Sequence, residues 1–164
     1  MSHRPLAEVT LRKYEKPFRL SGRDLAHKFC LSVGLLSPGE SRDVVADVLF
    51  ALVRKGAMDP ATLEQETRLI RREHNLSTAG CAASNIRRQV RRLKDLFLVE
   101  RVGKQYRLAE NAPLQEVFTE RIEKFYVPVI ISRVKEFCEA LERERCSYGE
   151  NDGKFKDERG FKKV

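Results

Sequence analysis

The chain has 164 residues, of which 41% are hydrophobic and 34% charged, and its 32 Lys+Arg against 24 Asp+Glu give a net charge of +8. That length accommodates one ordinary domain, or a small domain with helical extensions, and not two full enzyme domains. No apolar run approaches the roughly 20 residues of a membrane span, and the opening residues lack the apolar centre of a secretory signal; membrane, collagen-like and secreted disulfide classes are excluded, and a cytoplasmic protein is expected.

Residues 1–20 are basic and mixed, punctuated by Pro5 and Pro17, with Val9, Thr10 and Leu11 as a candidate short strand. Ser21 is a candidate N-cap for a helix that places Leu25, Phe29 and Val33 on one face and stops at Gly34. In Ser37-Pro38-Gly39-Glu40, a capping hydroxyl, a first-turn proline and a capping-box carboxylate predict the start of the next helix. Val45, Val48, Leu49, Leu52 and Val53 then recur with helical spacing, and Lys55-Gly56 closes the element. Asp59-Pro60 opens another helix, with Leu63, Thr67, Ile70 and His74 inward and Asn75 suited to a left-handed end.

Leu76-Ser77-Thr78 reads as a tight connection. A helix is expected from Ser77 or Thr78, burying Ala82, Ile86, Val90 and Leu93 and leaving Ser84, Asn85, Arg87, Arg88, Arg91 and Arg92 outward or flanking. The period changes at Phe97. Residues 97–102 read as a strand, Gly103-Lys104 as a turn and residues 105–108 as the returning strand. Beyond Pro113 two apolar stripes follow: Leu114, Val117, Phe118, Ile122 and Phe125, then Ile130, Val134, Phe137, Cys138 and Leu141. Pro128 lies between them and is expected to kink or break the helix. From Ser147 the composition predicts a largely disordered tail.

Cys30, Cys81, Cys138 and Cys146 form no C-x-x-C pair, and His3, His27 and His74 do not gather round them. Metal sites are usually built from closely spaced ligands, so no metal is expected. Cys30 and Cys138 read as small hydrophobes on helices. Nor is there a phosphate-cradling loop, a zincin motif, a nucleophile elbow or a dinucleotide fingerprint. A non-enzymatic protein without a cofactor is expected.

The positive charge is focused. Residues 84–107 hold eight basic side chains and two acidic ones, a net +6. A field of that kind attracts a polyanion; the bland alternative is a solvated helix face.

The segments at 59–75 (DPATLEQETRLIRREHN), 76–78 (LST), 79–96 (AGCAASNIRRQVRRLKDL) and 97–110 (FLVERVGKQYRLAE) together resemble a winged helix-turn-helix domain. Residues 92–100 are especially similar to the end of the recognition helix and first wing strand of archaeal and bacterial regulators. Phe97 stands where many of those have glycine, a departure at the helix-to-strand turn. With residues 37–56 as first helix, the resemblance covers about 74 of the 164 residues. The appended helices resemble the layout of PadR-like and MarR-like dimeric regulators.

The resemblance implies a mainly α fold with a small β-hairpin wing: a winged helix-turn-helix core with added N- and C-terminal helices. It divides the chain into a basic arm and helix (1–36), the core (37–110), C-terminal dimerisation helices (111–146) and the tail (147–164). It implies a sequence-specific regulator of transcription that lays a recognition helix (about 78–96) in the major groove of double-stranded DNA. By position, Ser77, Thr78, Ser84, Asn85 and Arg88 would read bases, and Arg87, Arg91, Arg92 and Lys94 would meet phosphates. In the wing (about 97–109), Arg101, Lys104 and Arg107 would reach backbone or minor groove. Leu114, Phe118, Ile122, Ile130, Val134, Phe137 and Leu141 are the candidate homodimer interface, with intrachain packing as the alternative. Binding to structured RNA, or to a protein as an adaptor, are the rival functions. No small-molecule effector is indicated.

Overall fold

Nearly every side chain from Val44 to Leu52 of helix α2 (Val44–Lys55) is buried, including Val45, Val48, Leu49 and Leu52. A helix apolar on more than one face must be surrounded, and α2 accordingly packs against three others: α1 (Arg23–Ser32), α3 (Pro60–Glu73) and α4 (Ala83–Asp95). The computed structural model describes residues 3–157, with side chains described through residue 145. The chain divides into two compact units at Tyr126/Val127.

In the first unit, each neighbour of α2 contributes one apolar stripe: Leu63 and Ile70 from α3, and Ile86, Val90 and Leu93 from α4. Burying a side chain of this size stabilises by about 1.5–3 kcal/mol. After α4 the chain forms an antiparallel hairpin, β1 (Val99–Val102) with β2 (Gln105–Leu108), in register Val99↔Leu108 and Val102↔Gln105. The expected mainly α fold with a small hairpin after the third core helix is therefore present. Met58, between α2 and α3, adds a bridge to Tyr106, exchanging backbone bonds of 3.0 and 2.8 Å. This pins the hairpin's returning strand to the start of α3.

Three helix starts lie later than their capping residues suggest, each because a glycine takes a positive φ. Gly22 (φ 52°) postpones α1 from Ser21 to Arg23. Gly39 (φ 80°) makes residues 37–40 a turn: the Glu40 carboxylate does accept from the Ser37 amide at 3.0 Å, but α2 begins only at Val44. Gly80 (φ 86°) delays α4 to Ala83, so Ser77 and Thr78 belong to the 74–82 connection. At Asp59 the cap is as expected, its carboxylate accepting from the Thr62 amide at 2.9 Å with Pro60 in the first turn.

Residues 3–22 hold no strand, so the expected pairing of Val9, Thr10 and Leu11 is not formed. The arm instead lies over the end of α1. The Arg12 amide donates to Ser32 O at 2.8 Å, and its guanidinium to Leu31 O at 2.7 Å and Leu36 O at 3.0 Å. Gly34 permits this approach, because a β-carbon there would stand 2.5 Å from Thr10 Cβ.

A cluster of four charges locks α1, α2 and α3 together. Asp47 is fully buried and accepts from Arg23 Nε at 2.6 Å and Arg71 Nη1 at 2.5 Å. Asp43 accepts from Arg71 at 2.9 Å and from Arg23. Burial pushes the Asp43 carboxyl up, but its hydrogen bonds to Arg23 and Arg71 outweigh that and hold it below the ordinary aspartate value of 3.8. Both bases and both acids are satisfied, which such burial requires.

A short helix α5 (Leu114–Val117) runs into a wider, π-type segment, Phe118–Tyr126, and Val117 and Ile122 complete the unit's core. The second unit is helix α6, Val127–Asp157. Pro128 is its second residue, directly after the π-type segment, so the helical hydrogen-bond pattern changes where the proline was expected to interrupt it. Contrary to the expected disordered tail, the backbone of residues 147–157 continues α6. Once a helix is nucleated each added residue contributes a bond, and no proline lies in that stretch. Residues 158–164 of the expected tail lie outside the described residues.

Candidate nucleic-acid interface

Helix α4 divides its residues sharply between two environments. Ile86, Val90 and Leu93 are buried against the core, whereas Ser84, Arg87, Arg88, Arg91 and Lys94 are exposed. Among the described residues none of Arg87, Arg88, Arg91 and Lys94 forms an ion pair. Four cations thus stand on one helix face with no ion-pair partner among the described residues. Such a face presents a field to solvent and has no folding role that would be lost on binding elsewhere.

The flank facing the 35–44 segment is differently employed. Asn85 Nδ2 donates to Gly80 O at 2.6 Å, Gln89 Nε2 to Asn85 Oδ1 at 3.0 Å, and Arg92 Nη1 to Gln89 Oε1 at 2.9 Å. Arg92 Nη2 ends the ladder on Leu35 O. The sequence placed Asn85 among the base readers, yet its amide braces the turn that enters α4. Arg92 is half-buried and its described partners are neutral oxygens, so they fix its side chain without an opposing charge.

The Ser77 side chain is also occupied before any ligand arrives, whereas Thr78 is engaged only through its backbone. Ser77 Oγ accepts from the Ala79 amide at 3.1 Å and Ser77 O from Arg71 Nε at 2.5 Å, while Thr78 O accepts from Cys81 N at 3.2 Å. Arg71 therefore joins the buried charge cluster directly to the turn before α4. No sequence period marks Arg71 for this task, because its acceptors come from distant positions.

The hairpin contributes unevenly. Arg101 and Lys104 are exposed and unpaired with any described carboxylate, Arg101 resting 5.9 Å from the Tyr106 ring centroid. Arg107 is paired with Glu100 at 2.8 Å and is half-buried, so its charge is compensated. The turn from α4 into β1 passes through Phe97, which adopts φ 61° and sets its ring edge-on to Tyr126 at 5.1 Å. The left-handed conformation that glycine adopts without strain is thus carried here by a phenylalanine anchored through its ring.

The candidate dimer residues fall into two groups. Ile122 is 0% exposed within its own unit, and Leu114 and Phe118 are half-buried, Phe118 meeting Phe29 edge-on at 6.5 Å. That first stripe covers the core except at Phe125, which is exposed, and Ile122 has no surface to offer a second chain. On α6, Val134, Phe137 and Leu141 are exposed, Phe137 to 65%, and Ile130 is half-buried. Their spacings of four, three and four are those of a heptad seam.

Cys30 and Cys81 are buried free thiols and Cys138 is an exposed one; burial drives the Cys30 thiol up to about 12. Among the described residues no group of three or more His, Cys, Asp or Glu is arranged to hold a metal, and no helix is long and apolar enough to cross a membrane.

Beyond the expected residues, Arg42 is exposed and unpaired beside α4, and borders a cleft shared with Arg88 and Arg92. It is separated from the arginine-rich segment by more than forty positions, so no sequence window groups them. No family model, curated protein or solved structure matches the chain.

Proposed function

We propose that this protein is a cytoplasmic, winged helix-turn-helix regulator of transcription that binds double-stranded DNA through α4, without catalysis. The observation that carries the reading is the exposed, uncompensated set Arg87, Arg88, Arg91 and Lys94 on a helix whose opposite side is locked into the core. A helix of this width enters the major groove of B-form DNA. Ser84 and Arg88, near its N-terminus, and Thr78 in the preceding turn are the base-reading candidates whose side chains make no described hydrogen bond. Arg87, Arg91 and Lys94 supply phosphate contacts that fix register and affinity. Arg101 and Lys104 extend the contact from the hairpin. Arg107 serves the hairpin through Glu100.

A second copy of the chain is the partner for the heptad-spaced face of α6. A helix of 31 residues with its apolar seam exposed gains stability chiefly by packing that seam. Two copies of α4 related by a two-fold axis would bind half-sites about one helical turn, roughly 34 Å, apart. Val134→Glu with Phe137→Glu should give a monomer in sedimentation; an unchanged dimer would place the interface elsewhere.

Fluorescence anisotropy with duplex DNA, duplex RNA and a single strand in competition tests the main reading. Duplex DNA should win, and log K should fall linearly with log salt. Replacing Arg87, Arg91 and Lys94 together by Ala should reduce the slope by roughly 2.7, about 0.9 for each phosphate no longer neutralised. Preference for duplex RNA, or a salt-independent association with a protein that survives the triple substitution, would replace this reading.

A further inference from the structure

The cleft between the 37–43 loop and the first half of α4 encloses about 620 Å³. Three guanidiniums border it without a carboxylate partner among the described residues: Arg42 and Arg88, both exposed, and Arg92, whose described partners are the neutral oxygens of Gln89 and Leu35. Arg71 also borders it, but its charge is spent on Asp43 and Asp47. The single acid of the lining, Glu40, is turned to the Ser37 amide at 3.0 Å. We propose that this cleft seats one phosphodiester of a nucleic-acid backbone, held by Arg42 with Arg92 as fixed charge behind it and Arg88 at its border with the base-reading face.

Three features select that ligand. The excess charge is positive, which calls for an anion. The lining holds no aromatic ring on which a base could stack, so a free nucleotide gains little beyond its phosphate. Arg88 also stands on the exposed face of α4, so the cleft is continuous with the surface assigned to duplex DNA and a strand leaving α4 meets it next. Guanidiniums suit this task because their planar donors pair with two phosphate oxygens at once.

The inference rests on the duplex-binding reading and deepens it: it adds a contact made by the loop before α2, outside both the helix and the hairpin. Arg42 makes no described hydrogen bond or ion pair, so its removal spares the fold, which a thermal melt verifies. Arg42→Ala, Arg42→Lys and, as a control on the second unit, Lys135→Ala are titrated with a duplex over a range of salt. For Arg42→Ala the slope of log K against log salt should drop by about 0.9, and affinity should be roughly eightfold weaker at about 0.1 M salt, converging with wild type near 1 M. Arg42→Lys should recover the slope and Lys135→Ala should not change it. A wild-type slope in Arg42→Ala overturns the seat while leaving duplex binding by α4 intact. No duplex binding by the wild-type chain overturns both. Inorganic phosphate, added alone at matched ionic strength, should not displace the duplex. Displacement that depends on Arg42 would mark a site for a free anion and overturn the proposal.

Discussion

Replacing Asp47 by Ala should be among the most damaging single changes in the first unit. Asp47 has no exposed surface, and its two oxygens receive Arg23 at 2.6 Å and Arg71 at 2.5 Å. The four-charge cluster is neutral as built; without Asp47 it holds two guanidiniums against the single carboxylate of Asp43. Removing one member of a buried, hydrogen-bonded set costs about 3–5 kcal/mol, because the remaining charge is stranded. Domain stability is typically only about 5–15 kcal/mol, so the loss is a large fraction of the total. Urea unfolding followed by circular dichroism at neutral pH measures it. Arg71→Met added to Asp47→Ala restores neutrality, and the double variant should lose less than the two single losses combined, by about 1–3 kcal/mol of coupling. A cost below about 1 kcal/mol for Asp47→Ala, the level of an exposed pair, would refute the claim that this cluster holds the three helices together.

Further expectations concern the same core and its surroundings. Because the folded Asp43 carboxyl is held below the ordinary value of 3.8, its contribution to stability is present above that pH and is lost as pH falls through the lower folded value; acid unfolding of Asp43→Asn should lack this component. Phe97→Gly should be more stable than Phe97→Ala by about 1 kcal/mol, reversing the usual order, because φ at this position is positive. Equal stability in thermal melts would mean the turn relaxes to another conformation. Of Cys30, Cys81 and Cys138, the last should be alkylated first at mildly basic pH, since burial holds the other two thiols above their ordinary value. Peptide mass spectrometry after brief iodoacetamide treatment checks this order.

Apolar periodicity made much of the fold legible. The stripes of α2, α3 and α4 are buried as their spacing implies except at one end of each, where Val53, His74 and Ala82 are exposed, and Gly103 closes the hairpin with φ 59° as a two-residue turn demands. What periodicity does not carry is the fate of polar side chains. Asp47 lies among valines in a helix buried on several sides, and an acid there signals a buried partner. The identity of that partner depends on how α1 and α3 meet α2. Ser37 and Ser77 look like caps, and each enters a turn because the glycine two or three positions later takes a positive φ that no helix includes. Asn85 reads as an exposed donor until the backbone folds Gly80 back within 2.6 Å of it.

The arginine-bearing face was legible because the spacing of Ile86, Val90 and Leu93 fixes which side of α4 is buried and so which side carries the arginines. Arg42 was not, since only tertiary structure brings the 37–43 loop to α4. The two C-terminal apolar stripes have equal standing as sequence. They part company in the structure because Ile122 lies inside the first unit, while Phe137 stands 65% exposed on α6.

Amide chemical-shift mapping during titration with a duplex tests the central claim most directly. Shifts concentrated at Ser84, Arg87, Arg88, Arg91 and Lys94, with smaller ones at Arg101 and Lys104, are the expected result. Binding that perturbs other surfaces and leaves α4 unchanged would contradict it.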